Sequence, residues 1–236
     1  MDPRLRSQAR TQLRRTALKL VIDVSNQAPI TLSVYRQSKA VALIAKATEG
    51  TSFKDKTLSG HRTVASMAGT PFGSYLFLHP DSKGSEAQSY LDYAKPRPGE
   101  IQPIIDAEVL NLGASELARR VLSCSKALEA KGYDPLLYVS QGVWGQLVAS
   151  QPYLRRLRVW EAQYPGRFSR WFPRVAKLRR RLKGARVVLW QWTDRYAAGG
   201  RHYDASVLLA PLDSLLITHP KKKSVTPEGG KARIAT

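Results

Sequence analysis

Cysteine is nearly absent from this sequence, which has one, Cys124, in 236 residues. A single cysteine excludes an intramolecular disulfide, and without a second thiol there is no thiolate cluster for a metal ion. Cys124 lies among Val121, Leu122 and Leu128, so we expect it to lie in the core. The four histidines, at positions 61, 79, 202 and 219, lack the spacing of metal ligands. We therefore predict no metal and no cofactor.

Long apolar runs are also missing. The first apolar segment, residues 18–24, is interrupted by Lys19 and Asp23 and is too short for the core of a signal peptide. No segment reaches the roughly 20 apolar residues that span a bilayer, so neither a secretion signal nor a transmembrane segment is predicted. A glycine-rich phosphate loop does not follow the first predicted strand, which argues against a nucleotide site.

Acidic residues are few relative to basic ones: 18 Asp and Glu face 38 Lys and Arg, and the formal net charge is +20. Residues 1–19 hold six basic residues and one acidic, residues 166–186 nine and none, and residues 220–236 five and one. The remainder is nearly neutral. A neutral body with cationic attachments indicates a polyanionic target surface, such as anionic envelope polymers or lipid head groups, rather than a basic active site. For residues 166–186 the alternative is a helix of the barrel, after the sixth strand, whose charges form a solvated outer face.

The length and the 43% content of hydrophobic residues suit one domain with one sizeable core. We predict a basic N-terminal extension over residues 1–17 and a folded domain over residues 18–217. That domain includes the basic segment 166–186. Residues 218–236 are predicted to form a basic, disordered C-terminal tail.

Runs of strand length alternate with helix-length spacers along the folded part. Strands are predicted at residues 18–24, 41–46, 72–78, 101–110, 135–139, 157–162, 186–192 and 203–208, and helices at 31–40, 56–68, 85–94, 115–131 and 141–149, with Ser115 as an N-cap. This alternation predicts an α/β fold, a single irregular TIM-like β/α barrel with about eight strands. An open doubly wound sheet is the structural alternative.

Two carboxylates lie near the end of the predicted strand 101–110. On a strand, Asp106 and Glu108 point to one side, roughly 7 Å apart at the backbone, whereas Ile105 and Ala107 point to the other. Two carboxylates so close cannot both ionise cheaply, so one of them is a candidate general acid near neutral pH. An isolated Asp-x-Glu is usually structural, but the C-terminal end of a buried strand is where β/α enzymes hold their chemistry.

Carboxylates and aromatic residues recur at the ends of the predicted strands. They are Asp23, Lys46 with Glu49, Tyr75 with His79, Asp106 with Glu108, Tyr138, Trp160 with Tyr164, Trp190 with Trp192, and Asp204. In a barrel these ends meet at one mouth. Each residue alone has a structural explanation, but carboxylates interleaved with Tyr and Trp describe a sugar-binding cleft, where aromatic faces stack on sugar rings.

Eight short motifs in chain order resemble those of a known family. They are Ile22-Asp23-Val24-Ser25, Lys46-Ala47-Thr48-Glu49-Gly50-Thr51, Ala68-Gly69 with Gly73-Ser74-Tyr75-Leu76-Phe77 and Pro80, Gln102-Pro103-Ile104-Ile105-Asp106-Ala107-Glu108, Leu137-Tyr138-Val139-Ser140, the segment from Trp160 to Tyr164, Leu189-Trp190-Gln191-Trp192-Thr193, and Asp204. Over roughly residues 18–210 the chain resembles the family 25 glycoside hydrolases, lysozymes that act as N-acetylmuramidases. Leu76 departs from the family, which usually has His there. The residues around Asp204 depart as well.

The resemblance implies a peptidoglycan muramidase that hydrolyses the β-1,4 bond between N-acetylmuramic acid and N-acetylglucosamine. Glu108 would protonate the leaving oxygen. Asp106 would act on the N-acetyl group of the substrate or activate water, and the sequence leaves this choice open. Asp23 and Asp204 would lie across the mouth, raise the pKa of Glu108 and bind sugar hydroxyls.

The expected substrate-binding residues come from the same strand ends. Tyr75 and Tyr138 would contact the acetamido region, and Trp190 would supply a stacking face. The remaining members of the predicted set are Trp160, Tyr164 and Glu49.

Two other classes of function remain open. One is a catalytically inactive sugar- or wall-binding barrel, against which the presence of Glu108 argues. The other is a polyanion-binding or nucleic-acid-binding protein, which is disfavoured because the aromatics follow the strand ends instead of interleaving with the basic residues. We expect a monomer without a specific nucleic-acid site. It would be made in the bacterial host cytoplasm, as a phage lysin is, and act on the cell wall after release.

Overall fold

The computed structural model describes residues 19–109, 111–164 and 182–218. The predicted N-terminal extension, residues 166–181 of the basic segment and all but the first residue of the predicted tail lie outside this part. None of the described helices is both long and apolar enough to cross a bilayer.

The described residues form nine strands and five α-helices. The strands are β1 (Leu20–Val24), β2 (Ala42–Glu49), β3 (Phe53–Lys54), β4 (Phe72–Phe77), β5 (Ile104–Asp106), β6 (Leu136–Ser140), β7 (Arg158–Ala162), β8 (Arg186–Ala198) and β9 (Arg201–Leu208). The helices are α1 (Leu32–Ser38), α2 (Leu58–Ala68), α3 (Glu86–Ala94), α4 (Ala114–Ala130) and α5 (Gln141–Ser150), and short 3-10 helices span Pro152–Arg156 and Leu212–Leu215.

Eight of these strands close into a barrel in the order β1-β9-β8-β7-β6-β5-β4-β2, and pairing of β2 with β1 completes the ring. Seven run parallel, whereas β9 runs antiparallel between β8 and β1. The two-residue strand β3 pairs with the end of β2. The predicted α/β barrel of about eight strands is thus confirmed, and the direction of β9 is an addition to it.

A tight turn explains the direction of β9. β8 continues past its predicted end to Ala198, which pairs with Arg201 across Gly199 and Gly200. Both glycines have positive φ, 55° and 77°, which suits a hairpin turn between adjacent strands. A two-residue connection leaves no room for a crossover helix, so β9 must return antiparallel to β8.

Alternation along the strands builds two apolar layers. Outward side chains such as Ile22 and Ile105 pack against the helices, in a cluster that also holds Cys124 as expected. Inward side chains such as Ile44 and Ile104 fill the lower barrel. Each large aliphatic residue so buried contributes roughly 1.5–3 kcal/mol. The helices therefore bind the outside of the barrel, and the inside is free to become polar towards one end.

The end of the barrel where the parallel strands begin is closed by the C-terminal segment. Leu215 is fully buried there, and Ile101 forms a bridge with Leu216. Arg158 on β7 is buried at this end and forms an ion pair with Asp134 at 3.0 Å. Substrate can therefore reach the barrel interior from the opposite end, where the parallel strands terminate.

Two predicted boundaries differ from the structure for local reasons. The predicted strand 101–110 is reduced to Ile104–Asp106. Before it, the backbone N–H of Gln102 donates to Leu215 O at 2.9 Å and Pro103 has no N–H to donate, and after it the backbone N–H of Glu108 donates to Asp106 Oδ1. Helix α4 has Gly113 as its N-cap, one residue before Ala114, so the predicted Ser115 cap is wrong.

The hairpin between β8 and β9 generates a prediction about stability. A methyl group at Gly199 would lie 2.3 Å from Val34 Cγ2 on α1, whereas one at Gly200 would meet nothing within 4 Å. Both positions have positive φ, so Gly200→Ala is a matched control for backbone strain. We expect Gly199→Ala to lower the free energy of unfolding by about 1–3 kcal/mol more than Gly200→Ala, measured by urea denaturation. Equal losses would contradict close packing of this hairpin on α1.

Candidate active site

One cavity of about 210 Å³ lies at the open end of the barrel. Every barrel strand contributes to its lining: Asp23 from β1, Lys46 from β2, Tyr75 and Phe77 from β4, Asp106 from β5, Tyr138 from β6, Trp160 from β7, Gln191 from β8 and Asp204 from β9. Glu108, Tyr164 and the segment Ser25-Asn26-Gln27 complete the lining. The volume is below the roughly 300 Å³ at which pockets for drug-sized molecules begin, so only a small part of a polymer fits inside.

The turn after β5 brings two carboxylates into this cavity. β5 ends at Asp106, whose Oδ1 accepts a hydrogen bond at 3.1 Å from the backbone N–H of Glu108. Ala107 between them is fully buried in the outer layer. Asp106 and Glu108 therefore share a side as predicted, although Glu108 lies beyond the strand. Asp106 is buried and Glu108 is partly exposed, so the second carboxyl is the more accessible of the two.

Burial raises the pKa of both carboxyl groups. For Asp106 the main cause is loss of hydration, followed by the charge of Glu108, and the pKa is well above its usual value. For Glu108 the pKa is raised first by burial and then by the charge of Asp204, and a hydrogen bond with Tyr138 offsets part of the rise. Repulsion within the pair thus acts mainly on Asp106, while Glu108 remains protonated to higher pH chiefly because it is buried.

Asp23 and Asp204 form a second acidic pair across the mouth. They are register partners in the antiparallel pairing of β1 with β9. The pKa of Asp23 is raised well above its usual value by burial and by the charge of Asp204. The pKa of Asp204 is raised to about 6, first by burial and then by the charge of Asp194. A hydrogen bond with Asp23 offsets part of this rise. The hairpin that reverses β9 thus places its carboxyl group opposite that of β1.

Gln191 connects the two sides of the cavity. Its Nε2 donates to both carboxylate oxygens of Asp23, at 3.2 and 3.1 Å. Its Oε1 accepts from the hydroxyl groups of Tyr138, at 2.6 Å, and Tyr164, at 2.7 Å. The amide is buried, so each of these bonds is shielded from water and fixes a neighbouring group.

Aromatic side chains form part of the cavity wall. Tyr138 and Trp160 meet edge to face, with ring centroids 4.6 Å apart. The Trp160 Nε1–H donates to Ser206 Oγ at 2.9 Å, which fixes the indole. Burial and the neighbouring carboxylates raise the pKa of Tyr75 well above its usual value, so its hydroxyl stays protonated.

Eight of the ten predicted site residues line this cavity: Asp23, Tyr75, Asp106, Glu108, Tyr138, Trp160, Tyr164 and Asp204. Trp190 requires correction as a stacking face. It alternates with Gln191, lies in the outer layer at 1% exposure, and its Nε1–H donates to Gln163 O at 3.0 Å. Glu49 is outside the lining and contacts Lys46, which lies within it.

Gln191, Lys46 and Phe77 were not among the predicted site residues. Gln191 could have been found from alternation, because it is the polar residue between two tryptophans in the apolar stretch 188–192 of this strand. The described residues contain no group of three or more His, Cys, Asp and Glu side chains arranged to hold a metal ion.

Comparison with known proteins identifies the family of this chain. The sequence profile of glycosyl hydrolases family 25 matches residues 22–201. The chain belongs to this family. The match spans β1 to the start of β9, so it contains both residues of the Asp106/Glu108 pair.

Relatives of this family 25 chain carry lysozyme names. This chain is 26% identical over 145 residues to the autolytic lysozyme of Clostridium acetobutylicum. The aligned part covers 61% of this chain and 44% of that protein. The chain thus spans less than half the length of that relative. In structure it is similar to the bacterial lysozyme from Streptomyces coelicolor, with a TM-score of 0.70 at 20% identity, covering 85% of this chain and 96% of that one. The structure is also similar to that of the muramidase from Acremonium alcalophilum, with a TM-score of 0.68 at 19% identity. This match covers 84% of this chain and 96% of that one.

The Gln191 network generates a prediction for this family 25 site. Gln191→Leu keeps a side chain of similar size but removes one hydrogen-bond partner from two phenols and from Asp23. We expect the free energy of unfolding to fall by about 1–3 kcal/mol, because buried polar groups become unsatisfied. Gln88→Leu, on the exposed face of α3, is the control and should change it by less than about 0.5 kcal/mol. Similar values for both variants in urea denaturation would show that Gln191 is not a structural link.

The raised pKa of Asp204 predicts a dependence of stability on pH. The folded-state pKa of about 6 exceeds the usual value, so the folded protein binds more protons than the unfolded chain between about pH 4 and pH 6. Stability therefore falls as pH rises through this window. Asp204→Asn removes the ionisation and should raise the free energy of unfolding at pH 7 by on the order of 1–2 kcal/mol.

The measurement is urea denaturation at pH 4 and pH 7. Asp213→Asn, on the exposed 3-10 helix at the closed end of the barrel, is the control. The gain for Asp204→Asn should shrink at pH 4, where the wild-type carboxyl is also neutral. A gain of equal size at both pH values would rule out ionisation as its cause.

Proposed function

We propose that this family 25 chain is a peptidoglycan muramidase that hydrolyses the β-1,4 bond between N-acetylmuramic acid and N-acetylglucosamine. The observation that carries the proposal is the Asp106/Glu108 pair, which faces a polar cavity with one carboxyl group buried and the other accessible. A protonated acid beside a second carboxylate is the arrangement that glycoside hydrolysis uses. The names of the relatives agree with this substrate class.

Glu108 is the general acid in this proposal. Its raised pKa keeps the carboxyl group protonated closer to neutral pH, and its partial exposure lets it reach the glycosidic oxygen. Proton transfer to that oxygen breaks the bond to the sugar ring. Positive charge develops on the ring carbon at the same moment.

Asp106 is the partner of Glu108. It lies deeper in the cavity and is fixed by the backbone N–H of Glu108. From this position it orients the substrate N-acetyl group as an internal nucleophile or activates a water molecule. Asp204, on the opposite side, has a pKa of about 6 and adds negative charge at neutral pH that stabilises the positive ring in the transition state, with Asp23 as its hydrogen-bonded partner. Tyr75 and Tyr138 contact the acetamido region, and Trp160 and Tyr164 bound the sugar.

The setting of this activity is also a proposal. The composition of the chain agrees with a phage lysin. Such a lysin is made in the cytoplasm of the bacterial host and reaches peptidoglycan after release. The cationic segments near both ends and at residues 166–186 would hold such an enzyme on anionic envelope polymers or lipid head groups, with roughly 1 kcal/mol per cation near the surface. Such adsorption weakens with salt, because the charges are screened over about 8 Å at physiological ionic strength.

Removal of the acid proton tests the assignment of Glu108. Glu108→Gln keeps the size and hydrogen bonding of the side chain but cannot donate a proton as a carboxylic acid does. We expect kcat on purified peptidoglycan to fall by about 10²–10⁴ or more, with substrate binding retained. Glu116→Gln, on the outer face of α4, is the matched control and should retain at least half of the activity. If the folded Glu108→Gln variant digested peptidoglycan at the wild-type rate, the assignment of Glu108 as the general acid would be wrong.

Mass spectrometry of the wild-type digest decides which bond is cut. A muramidase leaves N-acetylmuramic acid at the new reducing end, whereas a glucosaminidase leaves N-acetylglucosamine. If the protein binds peptidoglycan without forming a new reducing end, the chain is a wall-binding barrel and not an enzyme.

A further inference from the structure

Two of the three exposed large apolar side chains in the described part of the chain lie near the barrel mouth. Phe53 is 38% exposed and Tyr164 is 48% exposed. The third, Met67 at 58%, is close to the C-terminal end of α2, which leads into the start of β4 at the closed end of the barrel. Tyr164 already lines the cavity, whereas Phe53 has no role in the chemistry described above.

Strand order places these two aromatics on opposite sides of the mouth. In the ring β1-β9-β8-β7-β6-β5-β4-β2, β7 and β2 are four strands apart in either direction. Tyr164 follows β7, and Phe53 pairs with Glu49 at the end of β2. A line from Tyr164 to Phe53 therefore crosses the mouth, with β5 and its carboxylates on one side and β1 and β9 with theirs on the other.

Phe53 is held in place by a short hairpin. The N–H of Gly50 donates to Phe77 O, and the N–H of Asp55 donates to Ala47 O, each at 2.9 Å. The ammonium group of Lys54 donates to Ser89 O at 3.0 Å, which fastens β3 to α3. An exposed ring on a fastened hairpin loses little conformational entropy when it binds a ligand.

Lys46 joins Phe53 to the cavity. Its Nζ lies 4.6 Å from the ring centroid of Phe77 and 5.5 Å from that of Phe53, and it contacts the Glu49 carboxylate. Lys46 and Phe77 both line the cavity. The wall is therefore continuous from the carboxylates to Phe53, and it offers an ammonium and a carboxylate for sugar hydroxyls beside an aromatic ring.

We propose that Phe53 is the platform of a distal sugar-binding subsite for the glycan strand whose cleavage is proposed above. The strand lies across the mouth from Tyr164 to Phe53, with the scissile bond between the two acidic pairs. The mouth of an eight-stranded barrel is about 15 Å across, longer than a disaccharide, so Phe53 contacts a sugar outside the pair that is cleaved. The small cavity volume agrees, because most of the strand must then lie on the rim.

Substrate length provides the test. Phe53→Ala, Phe53→Tyr and Met67→Ala are compared in the full chain, with long glycan strands freed of stem peptides as the substrate. We expect Phe53→Ala to raise KM about tenfold and to leave kcat within twofold of wild type. The rise in KM follows because the sugar no longer covers roughly 50 Å² of ring surface. Phe53→Tyr should restore KM, and Met67→Ala should leave it unchanged.

Binding isolates the subsite from the chemistry. In the Glu108→Gln background, NMR titration with a disaccharide should give the same Kd with and without Phe53→Ala, while the Kd for long strands rises about tenfold. If wild type cleaves long strands and Phe53→Ala behaves like Met67→Ala in both assays, the subsite is wrong and the proposed function stands. If wild type neither binds nor cleaves strands of any length, the proposed function fails first and the subsite with it.

Discussion

Insertion of β9 between β8 and β1 is the constraint on which the mouth depends. Without it, β1 and β8 would be the free edges of an open sheet, and Asp23 would face solvent. Pairing of β9 with β1 sets Asp204 in register with Asp23, and pairing with β8 places Gln191 beside them. Barrel closure and assembly of the second acidic pair are therefore one event, decided by a two-residue turn at Gly199 and Gly200.

Four carboxyl groups in one small cavity oppose folding as much as they serve chemistry. Burial raises the pKa of each, so each costs stability when it is ionised. The apolar layers below and around the barrel offset this cost, and Gln191 reduces it by donating to Asp23. A site rich in unfavourable charge on a well-packed scaffold is consistent with selection for activity over maximal stability.

The parallel part of the barrel follows from local patterns. Buried strands such as β1 (Leu20–Val24) and β6 (Leu136–Ser140) are short apolar runs between helix-length spacers, and near its end each has a polar or aromatic residue that faces the mouth. The direction of β9 does not follow from such patterns, because residues 193–202 resemble a spacer until the pairing of Ala198 with Arg201 is known. Phe53 is hidden for a similar reason, since a two-residue strand has no periodicity.

The carboxylates of the site could be predicted from the sequence more readily than the groups that connect them. Asp106 and Glu108 could be recognised because their spacing and place in the chain both indicate chemistry. The ring of Trp190 predicts a stacking face, but alternation puts the neighbouring Gln191 inside the barrel and Trp190 outside it. Long-range contacts such as Gln191 to Asp23, 168 residues apart, have no local signal in a single sequence.

The amide of Gln191 also decides which hydrogen-bonding partners the cavity accepts. Its oxygen accepts from the hydroxyl groups of Tyr164 and of Tyr138, which is also a hydrogen-bond partner of Glu108, and each phenol oxygen keeps lone pairs that can accept. Together with four carboxyl groups they make the interior rich in acceptors, with the Lys46 ammonium as a cationic donor in the lining. Neutral ligands with many O–H and N–H groups match such a surface. A protein with a net charge of +20 thus carries, at the place where a polyol fits, a cavity whose lining holds four carboxyl groups and one ammonium group.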